Sequence, residues 1–278
     1  MLVISASASP PGDRLRHPLE VHATAAYLAV LLSLPALLDK GKGADGADIQ
    51  LAGYAGPSYT TASTVKLAQP GGTDMRFDGV MWDGEPFKGP IYYGYRGYLW
   101  PANGRTGVMV DFTHIKALAR LKSTVDQSGT RDGEPVVPRE PLSATFRRLE
   151  FTHGYNFLTL NLLRRTGRTK RNLILYVGAG AGIAVPHVEV LRQGQDRRQR
   201  TSEYQVAFPA VQMLAGVEWR VMRHFSLFVE YKLSCARIRG EIETGGAIDT
   251  DLCTHQLLGG PAWHLKEREA VAAQYRGG

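Results

Sequence analysis

The chain has 278 residues, enough for one or two domains, and hydrophobic residues make up 44% of it. Its mean hydropathy of −0.19 is ordinary for a soluble protein, but it does not exclude a membrane barrel, whose polar lumenal residues dilute the apolar ones. The formal net charge is +7. Because neither an aromatic-interleaved RNA motif nor a helix-turn-helix pattern accompanies this charge, we expect no nucleic acid partner.

The first 47 residues are predicted to be a signal peptide and leader. Residues 23–38 are uncharged and mostly apolar, but 16 residues are short of the roughly 20 that a membrane-spanning helix needs. Arg14, Arg16 and His17 precede this stretch and small residues follow it, which is the layout of a secretory signal. A buried core helix is the alternative. We expect the chain to be exported.

Eight segments that follow the leader alternate between the two faces of a β-strand. The clearest covers residues 173–190, where one face carries large apolar residues and the other carries mostly small ones. A strand between lipid and a narrow lumen needs this division, with large apolar groups outside and small or polar groups inside. The predicted strands cover residues 48–59, 90–100, 106–119, 145–163, 173–190, 201–221, 225–239 and 249–265.

The connections between these segments alternate between short and long. The first short turn contains Asn103-Gly104, which favours a tight hairpin, and the second is a basic turn at residues 167–172. Long polar loops are expected at residues 60–89 and 120–143, and again before the sixth and eighth strands. This rhythm is typical of an up-and-down barrel whose long loops face outward.

The predicted fold class is therefore all-β, an eight-stranded antiparallel up-and-down transmembrane β-barrel. It covers residues 48–265, and a polar C-terminal tail covers residues 266–278. A β-sandwich also has alternating strands, but segments of this length exceed the usual strands of soluble proteins.

The alternation predicts that several ionisable residues face the lumen. Charges in a narrow lumen must pair, because an isolated buried charge is very unfavourable. We expect a network of salt bridges that holds the barrel shut. Its predicted members are Arg96, Asp111, Glu150, Glu218, Glu230 and Lys232.

Histidines and one glutamate near the outer ends of the strands are the candidate catalytic residues. His114 lies on the third predicted strand, His187 and Glu189 on the fifth and His255 on the eighth, whereas His153 lies somewhat deeper on the fourth. Such side chains can bind a transition metal such as iron or manganese, or act as general acid or base. The alternative is that they are dispersed interfacial residues, and the metal is not identified by any tight ligand spacing.

Arginines in the loop of residues 191–200 are the candidate substrate-binding residues. Arg192, Arg197, Arg198 and Arg200 can bind anionic phosphates through bidentate hydrogen bonds. The alternative is that they are solvent-exposed loop residues that bind no substrate.

The two cysteines, Cys235 and Cys253, lie on the last two predicted strands. If the hairpin between these strands is centred on Thr244, the cysteines are directly opposite each other. A cross-strand disulfide is then possible in an oxidising compartment.

An ordered set of segments resembles the lipid A oxidase family of rhizobial-type bacteria. The segments are GVMWDGEPFKGPIYYGYRGYLW, GVMVDFTHIKALA, LYVGAGAGIAVPHVEV, TSEYQVAFPAVQMLAGVEWR, FSLFVEYKLSCA and THQLLGG. The resemblance runs from about residue 48 to residue 265, and more broadly the chain resembles small eight-stranded outer-membrane barrels.

The resemblance implies an enzyme in the outer membrane of a Gram-negative bacterium, with lipid A, the membrane anchor of lipopolysaccharide, as its partner. The implied reaction oxidises the proximal glucosamine to 2-aminogluconate with molecular oxygen as co-substrate and releases hydrogen peroxide. The implied reaction requires no organic cofactor. The histidines are candidate ligands for an unidentified divalent metal ion. We expect a monomer. The competing hypothesis is a non-enzymatic structural or adhesive barrel.

Overall fold

The computed structural model describes residues 47–85, 88–89, 91–101, 104–168 and 172–266. Most of the predicted leader (residues 1–46) and most of the predicted tail (residues 267–278) lie outside the described residues. In this part of the chain there is no helix with the length and apolarity needed to cross a membrane.

The described residues form sixteen strands and two short 3-10 turns, at Leu142–Ala144 and Arg197–Gln199. The strands are β1 (Asp48–Tyr54), β2 (Ser58–Thr60), β3 (Ser63–Gln69), β4 (Thr73–Val80), β5 (Trp82–Asp83), β6 (Tyr93–Trp100), β7 (Thr106–Ala119), β8 (Thr124–Arg131), β9 (Glu134–Pro135), β10 (Arg139–Pro141), β11 (Phe146–Arg168), β12 (Leu173–Arg192), β13 (Thr201–Tyr204), β14 (Ala207–Met222), β15 (Phe225–Glu241) and β16 (Ala247–Lys266).

Eight of these strands close into the predicted antiparallel barrel. β1, β6, β7, β11, β12, β14, β15 and β16 each pair with the next, and β16 pairs with β1 through Gln50↔His264 and Ala52↔Ala262. The predicted fold class is confirmed. Two predicted strands are interrupted, because residues 48–59 divide into β1 and part of β2, and residues 201–221 divide into β13 and β14. Of the predicted Asn103-Gly104 turn, Asn103 lies outside the described residues.

The outer face of the barrel carries an exposed apolar belt. Its side chains project from successive strands, and they include Leu160, Leu162, Val177, Val211, Met213, Val229 and Leu257. Trp219 and Trp263 are exposed near the end with the short turns, and Tyr95 and Tyr231 are exposed nearer the other end. An apolar belt between aromatic residues on a closed barrel is the surface of an outer-membrane protein.

The lumen of the barrel is crossed by the predicted network of charged side chains. Arg96 lies 3.1 Å from Asp111 and 2.7 Å from Glu230, and the Lys232 ammonium lies 2.9 Å from Asp111. The Tyr54 hydroxyl donates to Asp111 at 2.8 Å. Its ring lies across Gly94, where an added Cβ would come within 2.0 Å of it. The network therefore fills the middle of the lumen.

Glu218 also faces the lumen, near the end with the short turns, where it accepts a hydrogen bond from Ser226 at 2.7 Å and pairs with Arg165 at 3.3 Å. The prediction for Glu150 is wrong. Its neighbours on β11 are buried in the core, and it stands on the outer face opposite Glu189.

The long connections contain a four-stranded extension of the barrel sheet, which we call the second sheet and which was predicted to be loop. β3, β4, β8 and β10 pair in that order, and β3 joins the outer end of β16 through Thr250↔Val65. Val65, Leu67 and Phe77 are fully buried, and the Phe77 ring packs 5.3 Å from that of Phe146. An apolar core therefore lies on the outer side of the lumenal charges.

Candidate functional site

A cluster of polar side chains lies where β12 rises past the apolar belt. His187 and Glu189 continue the outward-facing row of β12, but here β12 pairs with the short strand β13 through His187↔Tyr204 and Glu189↔Ser202. On the other side, Glu150 of β11 stands opposite Glu189. The outer wall of the barrel thus changes from apolar to polar and charged at this level.

A bulge in β11 brings His153 to the cluster. Between Glu150 and Tyr155 the register of β11 shifts against β12, and it shifts against β7 between Phe151 and Tyr155. Gly154 has a φ of +132°, which L side chains rarely adopt. Extra residues in one strand re-aim its side chains, and here the His153 ring is turned towards Glu189.

Two histidines converge on one oxygen of the Glu189 carboxylate. Nδ1 of His153 lies 2.6 Å from Oε1 of Glu189, and Nδ1 of His187 lies 3.4 Å from the same oxygen. The centroids of the two imidazole rings are 4.8 Å apart. One ligand atom from each of the three residues lies within 4.8 Å of the others. Among the described residues, these three form the group of histidine and acidic side chains that is close enough to hold a metal ion.

Arginines hold the second oxygen of the same carboxylate. Arg148 lies 2.9 Å from Oε2 of Glu189 and also binds Glu150, and Arg200 lies 3.9 Å from Oε2. Burial raises the pKa of Glu189, but His187, Arg148 and His153 outweigh this effect and hold the pKa well below its usual range. Glu189 is therefore ionised at neutral pH.

Tyr204 of β13 fixes both histidines. Its hydroxyl donates to the backbone oxygen of His153 at 2.6 Å, and its ring packs edge to face on His187 at 4.7 Å. The Glu189 side chain is only 1% exposed, whereas that of His153 is 58% exposed. The cluster therefore has a buried floor and one open side.

The structure does not bring all the predicted catalytic residues together. His114 lies on the outer face of β7, stacked on Tyr93 at 4.8 Å and bonded through Nδ1 to Asn156 at 2.8 Å. His255 lies on the outer face of β16, where its Nδ1 is 2.6 Å from the Tyr231 hydroxyl. Of the five predicted catalytic residues, His153, His187 and Glu189 therefore form the cluster, and His114 and His255 lie outside it.

The four predicted phosphate-binding arginines also divide. Arg192 is turned into the protein and pairs with Asp132 at 3.2 Å, so it ties β12 to the second sheet. Arg197 and Arg198 lie exposed in the 3-10 turn between β12 and β13. Arg200 alone of the four reaches the cluster, at 3.9 Å from Glu189.

Arg148 and Thr152 also contact Glu189, and neither was predicted as a site residue from the sequence. Thr152 donates to Oε1 of Glu189 at 3.1 Å, and Arg148 holds the other oxygen. Arg148 precedes the bulge of β11 and Thr152 lies within it, where the alternation of faces changes, so the face of each could not be read from the sequence. The signal that was present is the alternation of Arg148 and Glu150 on one face of β11.

The described Cys235 and Cys253 are directly opposite each other on β15 and β16 and form a disulfide. The cross-strand pairing expected from a hairpin centred on Thr244 is therefore present. It lies on the outer part of these strands, beyond the pair of Tyr231 and His255.

No family model matches the chain, and no curated protein matches it either. Among solved structures it is similar to the Neisserial surface protein A, with 11% identity over 79% of this chain and 97% of that one and a TM-score of 0.36. It is also similar to the outer membrane protein OprG from Pseudomonas aeruginosa, with 14% identity, 80% and 96% coverage and a TM-score of 0.39. It is also similar to the outer membrane protease OmpT from Escherichia coli, with 9% identity over 78% of this chain and 97% of that one and a TM-score of 0.40. At such identities and TM-scores, these likenesses carry no argument about function.

Proposed function

We propose that this protein is an outer-membrane enzyme that oxidises lipid A, with the cluster of His153, His187 and Glu189 as its reacting centre. The observation that carries the proposal is the place of this cluster, on the outer wall of the barrel directly beyond the apolar belt. A lipid in the outer leaflet would have its head group at this level, so in this proposal the cluster faces a lipid head group rather than the lumen.

The charges around the cluster suit a phosphorylated sugar. Arg200 and Arg148 are partly exposed and border Glu189, and Arg197 and Arg198 lie exposed on the adjoining turn. Guanidinium groups bind phosphate through paired, charge-assisted hydrogen bonds. The arginines would hold a phosphate of lipid A other than one at C1 and place its proximal glucosamine against the open side of His153.

The proposed reaction is the oxygen-dependent conversion of the proximal glucosamine to 2-aminogluconate. On a lipid A molecule whose C1 hydroxyl carries no phosphate, the hemiacetal at C1 loses two electrons and two protons to molecular oxygen, which yields a lactone and hydrogen peroxide. Water then opens the lactone, so the sugar gains one oxygen atom overall. His153, which is exposed and bonded to the ionised Glu189, is placed to accept the proton of the C1 hydroxyl.

A second candidate function is that of a structural or adhesive barrel. The observation that favours it is the second sheet of β3, β4, β8 and β10, which presents a structured surface beyond the barrel. The lumen is filled by charged side chains, which argues against a channel. This alternative requires no chemistry from the histidines.

Mass spectrometry of lipid A separates the two functions. Membranes that contain the protein are incubated with lipid A whose C1 hydroxyl is free, with and without oxygen. We expect an oxygen-dependent gain of one oxygen atom on the proximal sugar, with release of hydrogen peroxide, which is lost in His187→Ala and kept in His255→Ala. Unchanged lipid A, in protein shown to be folded by its heat-modifiable gel mobility, would instead support the structural barrel.

A further inference from the structure

We infer that His153, His187 and Glu189 bind one transition-metal ion. The inference concerns the same site as the proposed function and rests on that function for the role of the metal, but not for its binding. Two imidazole nitrogens and one carboxylate oxygen form the donor set. A site of two histidines and one carboxylate that leaves other positions open suits iron(II) and related divalent ions.

The positions of the three ligand atoms are close to those that a single ion requires. Nδ1 of His153 and Nδ1 of His187 lie 2.6 Å and 3.4 Å from the same oxygen of Glu189, and all three ligand atoms lie within 4.8 Å of one another. Ligands at about 2.0–2.2 Å from a metal ion lie about 3–4 Å from each other. Because the His153 ring is largely exposed, a small rotation of this side chain provides the remaining adjustment.

The buried histidine has an unused ligand atom. Nδ1 of His187 is inaccessible to solvent, and it faces Oε1 of Glu189 at 3.4 Å, which is longer than an ordinary hydrogen bond. The whole residue is only 9% exposed. A buried polar atom with only a long contact is unfavourable, and a metal ion would take the lone pair of this nitrogen.

The surroundings of the three ligands orient them. Arg148 binds Oε2 of Glu189 and leaves Oε1 to face the two histidines. Arg148 also binds Glu150, so its positive charge is shared between two carboxylates and opposes a bound cation less strongly. Tyr204 holds the backbone of His153 and packs on the ring of His187. Partners of this kind fix the geometry of metal ligands.

The open side of the site is that of His153, so the remaining coordination positions would face the lipid head groups. A metal ion held there would supply the one-electron steps that reactions of molecular oxygen require. In the proposed site, His153, His187 and Glu189 hold the ion, while Arg148 and Tyr204 position these three ligands.

Cobalt(II) is the probe for the test, because its visible absorption reports the ligand set. The full chain, folded in detergent micelles, is titrated with cobalt(II) and followed by absorption and by calorimetry. We expect one ion per chain, and binding weakened on the order of 100-fold or more in His187→Ala and Glu189→Gln. His114→Ala and His255→Ala, which remove histidines outside the cluster, are expected to bind as the unchanged chain does.

Equal binding in the cluster variants and the unchanged chain would overturn the metal site, and so would the absence of binding in protein with heat-modifiable gel mobility. The proposed function fails separately. Cobalt(II) binding without oxygen-dependent conversion of lipid A, also after loading with iron(II), would keep the metal site and contradict the oxidase. Conversion that survives chelation, in protein that binds no cobalt(II), would keep the oxidase and overturn the metal site.

Discussion

His153 and Glu189 are 36 positions apart in the chain, yet Nδ1 of His153 lies 2.6 Å from Oε1 of Glu189. The contact depends on the bulge of β11, because the regular register on either side of it brings other residues opposite β12. Gly154 provides the backbone conformation of that bulge. The candidate centre is therefore built by an irregularity in the barrel wall.

We predict that Gly154→Ala disrupts the centre while the barrel still folds. The residue has a φ of +132°, and an added Cβ would lie 2.4 Å from Nδ2 of Asn156. Such strain is worth about 1–3 kcal/mol, and a shift of the bulge relieves it by moving His153. Cobalt(II) affinity should fall at least about tenfold, and oxygen-dependent conversion of lipid A should fall with it.

Gly53→Ala is the matched control for Gly154→Ala. Gly53 also lies in a barrel strand, but an added Cβ there would meet its nearest neighbour at an ordinary 3.8 Å. This variant should keep the cobalt(II) affinity. Equal affinity in Gly154→Ala and the unchanged chain would show that the bulge does not position His153.

The barrel and its lumen could be predicted because strand alternation is regular there. Arg96, Asp111 and Lys232 are each on the face that a period of two requires, and all three are fully buried. Glu150 was misplaced because alternation cannot be followed across an unrecognised bulge. The same bulge explains why His153 was expected deeper in the wall than the level of Glu189.

The second sheet could not be separated from loop by the same reasoning. Val65 and Leu67 of β3 alternate with polar residues and are fully buried, but the strand is short and lies in a polar connection. His114, His187 and His255 all lie on outer faces of their strands, so the joining of His153 and His187 depends on which strands are neighbours and on their register near the outer end. Only the pairing of β12 with β13 and with the bulged β11 decides this.

We predict that Asp111→Asn strongly destabilises the barrel. The Asp111 carboxylate binds Arg96 at 3.1 Å and Lys232 at 2.9 Å, and all three side chains are fully buried. Loss of one partner leaves buried charge uncompensated, which lowers the free energy of unfolding by about 3–5 kcal/mol. Urea unfolding in lipid vesicles, followed by tryptophan fluorescence, measures the change.

The control for this charge removal is Asp126→Asn. Asp126 pairs with Arg139 at 3.7 Å on the surface, where both side chains are mostly exposed. Exposed pairs contribute about 0–1 kcal/mol, so this variant should unfold nearly as the unchanged chain does. Similar losses in the two variants would contradict the role assigned to the lumenal network.

We predict that the disulfide between Cys235 and Cys253 stabilises the hairpin of β15 and β16. The two residues are 18 positions apart, and a cross-link over such a loop is worth about 2–4 kcal/mol. The double variant Cys235→Ser with Cys253→Ser should lose stability within this range and still form the barrel. Thiol labelling of the unfolded chain should succeed only after reduction, and labelling without reduction would contradict the bond.

We predict that the stabilising effect of Glu189 disappears in acid. Although burial raises the pKa of Glu189, its contacts with His187, Arg148 and His153 hold the pKa in the folded protein well below the ordinary value. A lowered pKa means that the stabilisation is fully present above the unfolded value of about 4.3 and is lost as the pH falls towards the folded pKa. The difference in unfolding free energy between the unchanged chain and Glu189→Gln should therefore be largest at neutral pH and shrink below about pH 4.3.

Glu134→Gln, in the exposed strand β9, controls for the general effect of removing a carboxylate. A Glu189→Gln difference that is constant from neutral pH to pH 3 would show that the carboxylate charge does not hold the cluster together.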